Sequence, residues 1–260
     1  MLAEERRNRI VEILNEVEFC PVLKLVEQLE VSRATVVRDL AALQKSGVIA
    51  KVHGGAKLQK SDPVQNEAFY TVRINKNRRL KEAMAAEAAR FVKDDTTIFI
   101  DSSTTCYTFA RELMKHHFSR LNIVTNSPAV LGIPWENGSP SIIVAGGELN
   151  KTFNMLAGLW VIDFLDKINI DQAFVSASGI SEKLNVTTSN LDIAQILNKV
   201  TERSNTVNLL VDSTKLCKRE MINIYPLARC SRLITDDGIS AEHDAMVRKV
   251  TELFIAPTGR

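Results

Sequence analysis

The sequence predicts an α/β protein in two parts: a small helical head closed by a hairpin, and a larger body in which strands and helices alternate. Three features of the chain predict it. Residues 1–58 hold three short apolar faces at helical spacing, separated by breaks at Cys20-Pro21, Glu30-Val31 and Ser46-Gly47. From Arg79 onward, short apolar runs alternate with longer amphipathic stretches, the pattern of a mostly parallel sheet covered on both faces. Between them, residues 59–77 are polar, carry Pro63 and show no clear period. The division is therefore 1–58 for the head, 59–77 for a linker and 78–260 for the body.

In the head, Ile10, Val11, Ile13, Leu14 and Val17 recur at helical spacing and set a first helix. Pro21 lacks a backbone N–H and interrupts that pattern. Val22, Leu25, Val26 and Leu29 form the apolar face of a second helix. Ser32 suits the N-cap of a third, which runs to about Gln44 with Val36, Leu40 and Leu43 inward. Ser46-Gly47 ends it, as a left-handed glycine would. Val48 to Val52 has strand propensity, Gly54-Gly55 is a turn, and Ala56-Lys57-Leu58 returns. Three short helices and a hairpin describe a winged helix-turn-helix.

In the body, helices are predicted near 79–92, 104–115, 127–134, 157–166 and 190–203. Strands are predicted at 97–101, 122–125, 141–145, 172–176 and 206–211, with smaller elements at 222–225, 232–235, 242–249 and 251–255. In such sheets ligands sit beyond the carboxyl ends of the strands.

The composition, 45% hydrophobic and 25% charged with a net charge of +2, is that of an ordinary globular protein and names no partner. No run reaches the ~18–20 apolar residues of a membrane span, and no membrane partner is expected. The stretch MLAEERRNRIVEIL carries charges inside its apolar run, unlike a signal peptide. Cys20, Cys106, Cys217 and Cys230 are scattered, so neither a metal site nor a disulfide framework is expected. No cofactor is expected either, and a reducing cytoplasm is the expected location.

Charge location is more informative than its sum. Between Val31 and Lys60, Arg33, Arg38, Lys45, Lys51, Lys57 and Lys60 stand against Asp39 as the only acid. That is a local basic footprint for double-stranded DNA. The third helix would enter the major groove by its N-terminal end, bringing Ser32, Arg33 and Thr35 forward, with Arg38 one turn on. Serine and threonine hydroxyls can bond phosphates or bases, and the paired donors of arginine can read guanine. Val36 falls on the inward face, and Asp39 could pair with a neighbouring arginine and orient it. Lys51 and His53 in the wing are candidates for the phosphate backbone, where a cation adds affinity and little sequence information.

The body carries its own constellation. A predicted strand runs into Asp101-Ser102-Ser103-Thr104-Thr105 and then a helix. Two readings stand side by side: the hydroxyls and the helix N-terminus bind an anion, or they only cap the helix. Asp101 would suit sugar hydroxyls better than phosphate. Thr125-Asn126-Ser127, Ala145-Gly146-Gly147-Glu148, Ser176-Ala177-Ser178-Gly179 and Asp212-Ser213-Thr214-Lys215 follow other strands. Together they put small polar residues at successive strand ends, where one pocket could form.

These residues carry a family resemblance. Val31-Ser32, Thr35, Arg38-Asp39-Leu40, Leu43, Gly47 and His53-Gly54-Gly55-Ala56 resemble the head of the DeoR family of bacterial transcriptional regulators. Val37 stands where that family has the first arginine of a pair. Lys51 stands where it has a wing arginine, which keeps the charge and loses the bidentate fork. The body resembles the family's sensor domain, itself similar to ribose-phosphate isomerases, glucosamine-phosphate deaminases and coenzyme A transferases. Asp101 to Thr105, Val124 to Ser127, Gly146-Gly147-Glu148 and Asp212 to Lys215 match its motifs. Ser103 replaces a glycine, and Gln195 and Leu197 fall where the family has a Glu and a Lys. Lys215 remains, as a pocket cation or as a surface lysine on a loop.

The resemblance implies a repressor of a carbohydrate-utilisation operon, released from DNA by a phosphorylated sugar bound in the body. Symmetric operators imply a homodimer or homotetramer. The DNA set is then Ser32, Arg33, Thr35, Arg38, Lys51 and His53. The effector set is Asp101, Ser102, Ser103, Thr104, Thr105, Asn126, Gly146, Gly147, Ser178 and Lys215, with no catalytic residue. Two alternatives stay open: a regulator without a small-molecule effector, and a sugar-phosphate isomerase or deaminase with a DNA-binding appendage. The enzyme needs a second group beside a base such as Asp101. His116-His117 at a helix end and His243 between Glu242 and Asp244 do not supply it.

Overall fold

A computed structural model of the chain describes residues 3–17, 19–45, 48–52, 54–58, 66–135 and 140–259. The chain forms two compact units, residues 1–76 with 151–153, and residues 77–150 with 154–260. Among the described residues, no helix is long and apolar enough to cross a membrane.

The first unit contains α1 (Ala3–Glu16), β1 (Cys20–Pro21), α2 (Val22–Leu29), α3 (Arg33–Lys45), β2 (Ile49–Val52), β3 (Gly55–Leu58) and α4 (Asn66–Asn75). Ile10, Leu14, Leu25, Val36, Leu40 and Ile49 build its core, each contributing about 1.5–3 kcal/mol on full burial. The break at Cys20-Pro21 is itself a strand: Cys20 pairs with Ala56 and Pro21 with Gly55, giving the sheet order β1-β3-β2. Proline is tolerated there because β1 lies at an edge. The two strands approach closely, and a Cβ at Gly55 would stand 2.4 Å from the Cys20 carbonyl oxygen. Residues 66–75, expected within a linker, form α4, where Tyr70 is buried and Val72 packs against the head's core. That helix is fixed by tertiary packing, which a polar window does not reveal. Ser46-Gly47, His53 and residues 59–65 lie outside the described residues.

The second unit begins with α5 (Arg78–Ala89), β4 (Thr96–Ile100), α6 (Thr104–Leu113), β5 (Leu121–Thr125), α7 (Pro128–Leu131) and β6 (Ser141–Val144). A hairpin of β7 (Glu148–Asn150) and β8 (Met155–Ala157) leads to α8 (Leu159–Leu165) and β9 (Ile170–Val175). Then come β10 (Gly179–Ile180), β11 (Asn185–Thr188), α9 (Leu191–Arg203), β12 (Ser204–Leu210) and β13 (Ile222–Pro226). The chain closes with β14 (Arg232–Asp236), α10 (Ala241–Val247) and β15 (Glu252–Ala256). Seven strands form one parallel sheet in the order β15-β14-β12-β9-β4-β5-β6. Ile98, Ile100, Ile123, Phe174 and Leu210 pack with α5 and α6 on one face, where Phe109 stacks on Phe174 at 4.3 Å. Side chains alternate along a strand, and α9 packs against β9 and β12 with α8 beside it.

The strand order has a functional consequence. From β4 the chain runs outward through β5 to β6, then returns to lay β9 on the other side of β4. The β4/β9 boundary is therefore the topological switch point, where the loops after the two strands part and leave a crevice.

Candidate functional site

In the first unit, α3 starts as the sequence predicts. The Thr35 N–H donates to Ser32 Oγ at 3.2 Å, and the two hydroxyls lie 2.9 Å apart. Ser32 and Thr35 thus shape the helix start, with Ser32 exposed and Thr35 half-buried. Arg33, Val37 and Arg38 are exposed, whereas Val36 is fully buried. Lys45 and Lys57 are also exposed. Lys51 sits on β2 opposite Ala56. Asp39 pairs with arginine, and the partners come from α1. It is buried, and accepts from Arg6 Nε at 2.5 Å and Arg7 Nε at 3.3 Å. The inward face of α3 carries Asp39 toward α1, so the carboxylate fastens those helices together.

In the second unit, the strand-end clusters lie along neighbouring strands. Asp101, after β4, is buried, and its oxygens accept the Ser103 N–H at 2.8 Å and the Ser176 N–H at 2.7 Å. The carboxylate therefore spans the switch point and braces the loops after β4 and β9. Burial pushes its carboxyl above the ordinary carboxylate range, against the pull of hydrogen bonds from Ser103 and Ser176. Ser102 is half-buried. Ser103, the residue in place of a glycine, caps α6 by accepting the Cys106 N–H at 3.1 Å. Thr104 and Thr105 are buried in the first turn of α6.

Asn126, after β5, donates from Nδ2 to the Leu156 carbonyl at 3.0 Å. Its Oδ1 and the Ser176 Oγ are buried without a hydrogen-bond partner among the described residues. Gly146 has open space where a Cβ would point, whereas at Gly147 a Cβ would meet the Ala157 carbonyl oxygen at 2.4 Å. Gly147 is thus required by packing against β8. Ser178 is half-buried, and its N–H donates to the Thr187 carbonyl at 3.1 Å. Lys215 Nζ donates to the Ala177 carbonyl at 2.9 Å and lies 4.0 Å from Asp212 Oδ2. Gln195 is exposed on α9 and Leu197 is buried within it.

Three residues beyond the expected set complete this framework. Ser176 adds its unpartnered hydroxyl. Asp236 is buried and accepts from Ser213 N–H at 2.7 Å and Ser213 Oγ at 2.8 Å, holding the loop that carries Lys215. Asn77 reaches the same loop, donating to Asp212 Oδ1 at 3.3 Å and to Thr214 Oγ1 at 3.2 Å. A polar residue just after an apolar run was a signal for the first two; nothing in the sequence signalled Asn77.

Residues 6–62 match the DeoR-like helix-turn-helix domain and residues 76–237 match the DeoR C terminal sensor domain. A helix-turn-helix head joined to such a body defines a DNA-binding transcriptional regulator rather than an enzyme. The HTH-type transcriptional regulator GolR of Listeria innocua serovar 6a is 34% identical over 240 residues, covering 92% of this chain and 93% of that protein. The glycerol-3-phosphate regulon repressor of Escherichia coli strain K12 is 29% identical over 236 residues, covering 91% and 92%. Ribose 5-phosphate isomerase A of Methanocaldococcus jannaschii aligns with 54% of this chain and 55% of its own, at 22% identity and a TM-score of 0.39. The chain belongs to the DeoR family.

Proposed function

We propose that this regulator represses a carbohydrate-utilisation operon and leaves its operator when a phosphorylated sugar occupies the carboxyl ends of β5, β4, β9 and β12. The observation that carries the reading is the Asp101 brace across the switch point. The unpartnered Asn126 Oδ1 and Ser176 Oγ directly follow the two strands that flank β4. Buried polar atoms without partners are costly, and a ligand rich in hydroxyls would satisfy them. The first turn of α6 and Lys215 supply positive potential for a phosphate. A relative named for a glycerol-3-phosphate regulon supports a phosphorylated signal. A cytoplasmic homodimer or homotetramer would match paired half-sites.

The test is thermal unfolding in the presence of triose, pentose and hexose phosphates. A compound at a hundredfold its Kd should raise Tm by on the order of 5 °C. The paired Thr104→Ala and Thr105→Ala substitution should abolish that rise. If no compound raises Tm, the effector reading is lost, and a regulator without an effector remains. The apolar Leu197 favours that second reading, since it stands where the family resemblance puts a lysine.

On the DNA side, Arg38→Ala is expected to leave the melting temperature unchanged. Operator affinity should fall by about 1–3 kcal/mol, roughly fivefold to 150-fold. A gel-shift titration giving wild-type affinity would remove Arg38 from the reading surface.

A further inference from the structure

We propose that Asn77 couples the Asp212–Lys215 loop to the junction between the two units, so that the state of that loop sets operator affinity. Asn77 is the first residue of the second unit; α4, which ends at Asn75, belongs to the first. It occupies the N-cap position of α5 at φ 55° and ψ 36°, and its side chain makes no capping bond. A left-handed backbone is unfavourable for a residue with a side chain, and asparagine adopts it more readily than most. Here the side-chain amide is drawn away to Asp212 Oδ1 and Thr214 Oγ1.

Those two bonds hold the first residue of the second unit, two positions after α4 ends. The loop they reach is anchored at Ser213 by Asp236. Buried Asp212 also accepts the Thr214 hydroxyl and lies beside Lys215, which bonds Ala177 after β9. One loop therefore contacts the β9 strand end through Lys215 and the junction residue through Asp212 and Thr214. A ligand that draws Lys215 away from Ala177 displaces the acceptors that hold Asn77. The inference rests on the sugar-phosphate reading for the identity of the signal, and on the Asn77 bonds for its route.

The test is a double-mutant cycle on the full chain that needs no ligand. Affinity is measured by fluorescence anisotropy on the tightest duplex selected from a random-sequence library, with Tm recorded for every variant. Asn77→Gly removes the amide and keeps the left-handed backbone accessible; Thr214→Val removes the hydroxyl. Each is expected to change affinity about fivefold or more, in the same direction. The double variant should match Asn77→Gly within about twofold, and Thr214→Ser should restore wild-type affinity. Effects that multiply, or variants that lower Tm without moving affinity, would overturn the coupling. If a sugar phosphate raises the wild-type Tm, Asn77→Gly should keep that rise while the compound loses its effect on DNA affinity. If none does, the sugar-phosphate reading fails while the cycle still decides the role of Asn77.

Discussion

Asp39→Ala is expected to unfold the DNA-reading unit and remove operator binding altogether. Asp39 is 1% exposed and serves two guanidinium groups of α1. Removing one member of a fully buried ion pair costs about 3–5 kcal/mol, because the remaining charge keeps its desolvation cost and loses its counter-charge. Here the carboxylate is buried while Arg6 is 13% and Arg7 40% exposed, so the expected cost lies below that range. A small unit has little more than that in reserve. Packing gives the loss its functional weight: α1 and α2 hold α3, and α3 presents Arg33 and Arg38 outward. Circular dichroism melts of the variant should show early loss of helix, and hydrogen exchange should rise through α1 and α3. An Asp39→Ala protein whose stability lies within about 1 kcal/mol of wild type would show that the carboxylate is not what fastens α1 to α3. The contrast with Arg38→Ala is diagnostic, since that variant is expected to lose DNA affinity while keeping its melting temperature.

Asp101→Ala is expected to be nearly as severe, in the second unit. Two backbone N–H groups, of Ser103 and Ser176, lose their acceptor at a buried position. Each unsatisfied donor costs about 1–3 kcal/mol, and the loops after β4 and β9 lose the group that ties them. If a sugar phosphate raises the wild-type Tm, that rise should disappear with them. The wild-type protein also carries a pH signature. Burial raises the folded-state pKa of Asp101, so between the ordinary carboxylate value and the raised one the native state holds more proton than the unfolded chain. Its contribution is fully present below that window and declines as pH rises through it. The stability advantage of wild type over the alanine variant should therefore shrink with rising pH across the window, as read by urea melts at successive pH values. An advantage that grows instead would mean that hydrogen bonding, not burial, dominates the carboxylate.

Both residues show where sequence reading stops. The helices of the head and the strands of the body were legible because Leu25, Val36, Ile98 or Ile123 fall on a period. The clusters after each strand were legible because small polar residues follow apolar runs. The partners were not. Asp39 meets an arginine 33 positions earlier, and Asp101 meets an N–H 75 positions later; nothing local records either distance. The strand at Cys20-Pro21 was hidden because proline usually ends structure, and only the pairing with Gly55 and Ala56 reveals the edge. Helix α4 was hidden in a polar segment, and the hairpin β7-β8 has three residues per strand, too few for a period to appear. The family resemblance located the motifs without their roles: Ser103 caps a helix, and Gly147 serves packing.

That last glycine bears on how the site would be judged from variation among relatives. Adjacent positions 146 and 147 answer to different constraints: Gly146 borders open space, while Gly147 leaves no room for a methyl group against Ala157. Invariance at 147 would report the seating of a hairpin and carry no information about a ligand. Position 146 is free of that constraint, since a side chain there can be gained without disturbing the fold.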